Sequence, residues 1–483
     1  MKNCSALMAV LFLLMVTFSA ESWAQSDYQV MGMTAADCPV DATWLTQPSL
    51  PVEVKKSGAD GSSNFCDFYQ FANQTYLYLM SPSTSEPKLR NFQVNEQFSL
   101  LEFNDDGTPA DSCDMAISGS TLRTGLQKSS LITGQAGGGA TIYDQEGNVI
   151  YYDVRFTRNL CDLSASAVEL QQQNITNFPA GTIELKFAWK TLSVEEVEKG
   201  QFVTQQQLIS KDNVTLGLIG VHIVVATEDH PEFIWATYEH KFNSPDCLPS
   251  SLQEETTWTM ASQSCTAGLA DSADAGNACN FNNPPEKLTA PIGTPTNICR
   301  VHPYGTVFTD ANAWENISVI TQQNQGIDEL LKKQGDADMQ VLENYFNVGA
   351  LWASDITMSS GGKGVPNERG SLRLANSVAE TRYQQVDINS DFASNCFGCH
   401  NYTGTSKTVH NNITSQALSH IFKDIKIGQG LDIDVYAQKV FMDNNDAQNN
   451  CPSTCSGTAS YLKWNGNWTN INPSSGSVCG CGL

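Results

Sequence analysis

"GLIGVHIVVATEDHPEFIWATYEH", residues 217–240, holds two apolar runs separated by a short charged break that contains Pro231. The first run, 217–227, is almost continuously apolar, as a strand buried on both faces would be. The second, 233–240, follows closely enough that the two are predicted to pair. Upstream, "TIELKFAWK" (182–190) alternates, with Ile183, Leu185, Phe187 and Trp189 on one face. "ATIYDQEGNVIYYDVRF" (140–156) has β-rich runs flanking Gln145-Glu146-Gly147-Asn148, a hairpin signal. Residues 60–310 therefore read as mainly β.

The segment 248–298 is rich in Ser, Ala, Asn, Thr and Pro, and reads as a long loop pinned by Cys247, Cys265, Cys279 and Cys299. From about 320 the pattern turns helical. "QGIDELLKKQGDADMQVLENYF" (325–346) and "SLRLANSVAETRYQQ" (371–385) lack strand alternation, and "SSGGKGVPNERG" (359–370) is a loop between them. "NNITSQALSHIFKDI" (411–425) gathers Ile413, Ala417, Leu418, Ile421, Phe422 and Ile425 within one helical arc. Residues 432–483 form a compact, cysteine-rich stretch of their own.

The chain begins as an exported protein would. Lys2 precedes the apolar run "ALMAVLFLLMVTF", which is too short to span a bilayer comfortably, and "SWAQ" offers small residues for cleavage before Gln25. No later stretch reads as a transmembrane anchor, so a periplasmic or extracellular location is expected. Export makes disulfides the default for most of the fifteen cysteines. The formal charge of −24 argues against nucleic acid and anionic lipid, and would favour a basic redox partner protein.

"SNCFGCHNYTG" (394–404) contains Cys396-Phe397-Gly398-Cys399-His400. Two thiols at this spacing can meet the two vinyl groups of one haem, and the adjoining histidine can ligate its iron. A zinc site would need two further ligands close by, and a redox pair would want a thioredoxin-like context that the sequence lacks. One covalently attached haem c is therefore expected on Cys396 and Cys399, with His400 as axial ligand. His420, at the edge of the 411–425 arc, is the candidate sixth ligand, and His410, His222, His240, His302 and Met358 remain alternatives. His222, Trp235 and His240, on adjacent strands, are also candidates for lining a pocket.

Several stretches resemble a group of exported bacterial cytochrome-c-family proteins in which a long β-rich part precedes one C-x-x-C-H: "GQAGGGATIYDQEGNVIYYDVRF", "ELKFAWKTL", "GLIGVHIVVATEDHPEFIWATYEH", "NYFNVGALW" and "LRLANSVAETRYQ". The resemblance covers roughly residues 90 to 425 and implies haem binding and electron transfer. Ala379 stands where members often carry a methionine. The tail resembles a mannan-binding module related to an oligomannose lectin, through "NNDAQNNCPSTC", "KWNGNWTN" and "SVCGCGL". Its usual small–Pro–aromatic–Trp opening is replaced here by Lys439-Val440-Phe441-Met442. Trp464 and Trp468 are candidates to stack on sugar rings, with Asn465, Asn467 and Asn470 bonding hydroxyls; the alternative is that the tryptophans form the small core. Cys451, Cys455, Cys479 and Cys481 read as disulfides, with a metal site as the competing arrangement.

The expected class is α+β multidomain: a signal peptide (1–24), a β-rich domain (25–320), a helical c-type haem domain (321–430) and a small disulfide-rich, β-containing module (431–483). Three functions stay open: mono-haem electron transfer, a haem-dependent oxidoreductase or peroxidase acting on a substrate held by the β-rich domain, and surface glycan binding through the tail.

Overall fold

The computed structural model describes residues 37–94, 97–99, 141–157, 178–209, 212–247, 257–268, 279–284, 293–334, 336–353, 368–385, 395–400, 419, 433–437, 439–458, 463–472 and 476–482. The signal-peptide stretch, the 411–425 helix, His410, His420 and Met358 lie outside them. In chain order the principal elements are α1 (Phe65–Met80), β1 (Phe98–Ser99), β2 (Tyr151–Thr157), β3 (Ile183–Thr191), α2 (Val194–Lys199), β4 (Thr204–Ile209), β5 (Asp212–Val225), β6 (Ile234–His240) and α3 (Ala313–Gln334). There follow β7 (Tyr345–Ala353), β8 (Glu368–Gly370), α4 (Cys396–His400), β9 (Ile433–Ala437), α5 (Asn444–Thr458), β10 (Lys463–Asn472) and β11 (Gly476–Gly482).

Strands β1 to β8 form one antiparallel sheet in the order β1-β2-β3-β5-β6-β7-β8, with β4 beside the first half of β5. As predicted, β5 and β6 are neighbours, with Val225 opposite Ile234 and Gly220 opposite Glu239. The 140–156 hairpin is present too. Ile150 N–H donates to the Ile142 carbonyl, and Gly147 turns the chain with φ +83°, a backbone region favouring glycine.

Side-chain alternation splits this sheet into two dry faces. One carries Ile183, Leu185, Phe187 and Trp189 from β3, then Val221, Ile223, Ile234, Tyr238 and Trp352. Helices α1 and α3 cover it, adding Phe68, Tyr76, Leu79, Val319 and Leu331. Buried amides tie the layers together: Tyr238 Oη donates to Asn73 Oδ1 at 2.8 Å, and Asn73 Nδ2 to Gln323 Oε1 at 3.0 Å. The opposite face carries Tyr152, Ala188 and Ile219 at one end, and Val224, Trp235 and Leu351 at the other. Irregular chain covers it, including Met260, Ile298 and Val378.

Two elements depart from the sequence reading. Helix α1 lies in a stretch read as mainly β, because its aromatic residues favour strands when taken singly. Its start is marked by a capping box, in which Asn64 accepts from Asp67 N–H and Asp67 accepts from Asn64 N–H. Strand β7 lies in a stretch read as helical, yet pairs with β6 from Tyr345 to Leu351. A boundary at 320 thus cuts through one sheet. The helical reading of 325–346 holds through Gln334 in α3 and again over Ala337–Gln340 and the 3-10 turn Val341–Asn344, until β7 begins at Tyr345; 371–385 is turns ending in a 3-10 segment, Thr381–Gln385.

Residues 433–482 form a second unit. Strands β10, β11 and β9 make a three-stranded antiparallel sheet, and α5 packs against it. Its core is Ala437, Phe441, Ala447, Trp468 and four cysteines. The unit touches the main body where the Tyr143 and Thr469 hydroxyls share a hydrogen bond.

At Gly220 the irregular cover comes close to the sheet: a Cβ there would stand 2.9 Å from Val378 Cγ2. Gly220→Ala is expected to cost about 1–3 kcal/mol through overpacking. Urea unfolding should show this as a lower midpoint at unchanged slope.

Candidate functional site

The C-x-x-C-H segment forms the single-turn helix α4. It is anchored from the preceding residue, since Asn395 Nδ2 donates to Glu368 Oε2 at 2.8 Å and to the Leu372 carbonyl at 2.9 Å. Phe397 is fully buried against the second sheet face, among Phe156, Val224, Trp235, Leu351 and Leu372. Cys396 is half-buried and borders the same cluster. The ring of His400, also half-buried, sits 4.5 Å from that of Trp235, centroid to centroid. Sheet and motif thus meet on one apolar wall.

Trp235 is 5% exposed, and among the described residues its indole N–H has no acceptor. Its other ring neighbours are Phe233 at 5.8 Å and Phe397 at 6.0 Å, neither able to accept a conventional hydrogen bond. A buried, unsatisfied donor beside a ligand-type histidine is an observation that sequence reading missed. It follows from the burial of every β6 residue, on both faces of the sheet, and not from any motif.

The other described histidines are engaged structurally. His240 projects from the α1/α3 face, on the side of β6 opposite Trp235, so His222, Trp235 and His240 do not line one pocket. His240 donates from Nε2 to the Gln201 carbonyl at 3.1 Å and accepts from Phe242 N–H at Nδ1, 3.3 Å. Burial lowers its pKa to about 4. His222 pairs through Nε2 with Glu380 Oε1 at 2.9 Å. Burial alone would raise the Glu380 pKa, but the nearby His222 and Lys186 hold it below the usual range. For His302, burial and then the nearby Arg373 lower the pKa to about 4. Ala379 is buried in the cluster around Tyr152 and Ile219.

Five disulfides are described: Cys38–Cys66, Cys247–Cys299, Cys265–Cys279, Cys451–Cys479 and Cys455–Cys481. The two middle pairs pin the 248–298 region as expected. The last two bind α5 to β11, which removes the metal reading of the tail, because disulfide sulfurs are not thiolate ligands. All five fit an oxidising compartment. Among the described residues, no helix is long and apolar enough to cross a membrane.

In the tail unit the two tryptophans part ways. Trp468 is 4% exposed, lies edge-on to Phe441, and donates from Nε1 to Asn444 Oδ1 at 2.8 Å. It is a core residue, and its face is closed to a sugar. Trp464 is half-buried at the margin of the core. Between them β10 shifts register at 465–467, and Gly466, exposed with φ +96°, faces open space. The side chains of Asn465, Asn467 and Asn470 lie outside the described set, although their backbone is in β10. At the other end of the helix, Met442 is 82% exposed, and Asp443, Asn445, Gln448 and Asn449 point to solvent. The Met442 N–H and the nearby Lys439 hold the Asp446 carboxyl below its usual range. This surface offers amide and carboxylate partners for hydroxyl groups.

Residues 444–481 match the family model described as MVL, mannan-binding protein. No curated protein and no solved structure matches the chain.

Two outcomes follow from these geometries. Because His240 is neutral when folded and titrates near 6.5 when unfolded, the unfolded state binds the extra proton. Its contribution is complete above pH 6.5 and is lost as pH falls toward 4, up to about 3 kcal/mol. Urea melts at pH 7 and pH 5 should show a smaller difference for His240→Gln than for the parent. Separately, replacing Cys451 and Cys479 together by alanine should cost the tail unit about 2–5 kcal/mol, seen as faster proteolytic loss of residues 433–482.

Proposed function

We propose that this chain is a glycan-binding protein whose tail unit, residues 433–482, recognises mannose-rich polymers. The observation that carries the reading is the 444–481 match falling on a self-contained unit, with its own sheet, core and two disulfides. Its surface chemistry supports the reading. Sugar rings present alternating apolar and hydroxyl faces, which suit an indole edge flanked by amides. In this reading Trp464 offers the apolar contact and the backbone of the 465–467 bulge meets the hydroxyls. Met442 stands where the family opening carries a tryptophan, so the apolar contact would fall more heavily on Trp464.

Immobilised mannan should retain the intact protein, and free oligomannose should release it. Trp464→Ala is expected to weaken retention at least tenfold with the fold preserved by circular dichroism. Failure of the intact, disulfide-bonded protein to bind any mannose-rich glycan would remove this reading.

A second reading, haem attachment at α4, is favoured by a separate observation: a C-x-x-C-H turn set on an apolar wall beside an unsatisfied buried N–H. The residues present fit such a group. Cys396 and Cys399 would hold it through thioether bonds, His400 would ligate the iron, and Phe397 would lock the turn to the sheet. A haem so held would supply one-electron exchange. The protein's part would be to exclude water with the Phe156, Val224 and Leu351 wall and to orient His400 through Trp235. Protein matured in a host that attaches haem should keep its colour through acidified acetone; colourless protein would dismiss this reading.

A further inference from the structure

We propose that Phe308 and Trp314 form a second sugar-contact platform, on the main body, for the same neutral mannose-rich polymer. The proposal rests on the glycan reading above. The two rings stack with centroids 4.7 Å apart and planes 28° from parallel, and Phe308 is 64% exposed. Exposed apolar side chains scattered singly are ordinary on protein surfaces. This one differs, because both its backing ring and its backbone are fixed. Trp314 stands in the first turn of α3, and Phe308 is carried by the loop that leads into that helix.

The loop is held more firmly than a connection requires. The buried Asp310 carboxylate accepts from Arg373 Nε at 3.0 Å and from Arg373 Nη2 at 2.9 Å. Its Oδ2 also accepts from Val307 N–H at 3.0 Å and from the Thr306 hydroxyl at 3.2 Å. On either side, Tyr304 (φ +60°) and Asn312 (φ +58°) hold left-handed backbone. Such strain costs of order 1–3 kcal/mol per residue and gathers at ligand clamps. A ring fixed in advance also binds at low entropic cost. The occupant follows from the surroundings. Close by in the chain, Thr309, Asn312 and Glu315 are exposed and offer hydroxyl, amide and carboxylate partners. An apolar ring face among such groups suits a pyranose, which has an apolar C–H face and a hydroxyl rim. Arg373 is spent on Asp310, and Glu315 adds negative charge, so an anionic ligand is disfavoured. A protein partner fits poorly too. Its interface would cover about 800 Å² per side, and one aromatic side chain supplies about 150–250 Å².

The test uses the intact, disulfide-bonded protein on immobilised mannan and, separately, free short oligomannose in a calorimeter. Immobilised mannan presents many chains, so two contact points on one protein raise retention without a fixed span between them. Phe308→Ser removes an exposed ring and should fold as the parent does, as circular dichroism will show. It should lower retention on mannan by about tenfold while leaving the calorimetric affinity of the tail for free oligomannose at its parental value. Phe308→Trp keeps a flat face on Trp314 and should restore retention. Parental retention of folded Phe308→Ser would overturn the platform and leave the tail reading intact. So would a parent dimer that Phe308→Ser dissociates in sedimentation, because the rings would then face a second copy of this chain. Retention that survives Trp464→Ala, and is lost when Phe308→Ser is added, would support the platform and remove the tail reading. A parent protein that binds no mannan would overturn both.

Discussion

Every layer of the main body answers to one requirement: β6 and the part of β5 from Leu216 onward are covered on both faces. Val221 and Ile223 point one way, Ile219 and Val224 the other, and all four are buried. At about 25 cal/mol per Å² of apolar surface, exposing either side would be costly. The chain meets the requirement unequally. Two amphipathic helices, α1 and α3, close one side with regular packing and a thread of buried amides. The other side is closed by turns, a disulfide-pinned loop and the short α4 turn. Regular cover leaves little room for chemistry, and irregular cover can carry it. The ligand-type residues accordingly stand on the irregular side.

The strands of the central sheet were legible because they depend on local pattern. Apolar continuity at 217–227 and alternation at 182–190 survive any tertiary context, and the hairpin at 145–148 is written in turn chemistry. What escaped was set by long-range competition. Helix α1 is made of residues that individually prefer strands, and only its capping box and its place over Trp352 reveal the helix. Strand β7 follows a helical stretch closely, and the open edge of β6 captures it.

The site residues divide in the same way. Spacing alone marks Cys396, Cys399 and His400 as one candidate cluster, and their backbone forms one helical turn. Spacing says nothing of Trp235, which is distant in sequence and joins the cluster through sheet register. It also treats Trp464 and Trp468 as equals. Burial separates them: one is edge, the other core. His222 and His240 likewise look alike on adjacent strands, yet they project from opposite faces, one to a carboxylate and the other to backbone partners.

The paired bridges between α5 and β11 have a mechanical consequence. A polymer gripped by the tail would pull on a unit whose terminal strand is covalently fastened, at Cys479 and Cys481, to the helix beneath it. Tension on that strand would run through sulfur–sulfur bonds before it reached the ladder of β10 and β11. The contact with the main body at Tyr143 and Thr469 lies on β10, outside both bridges.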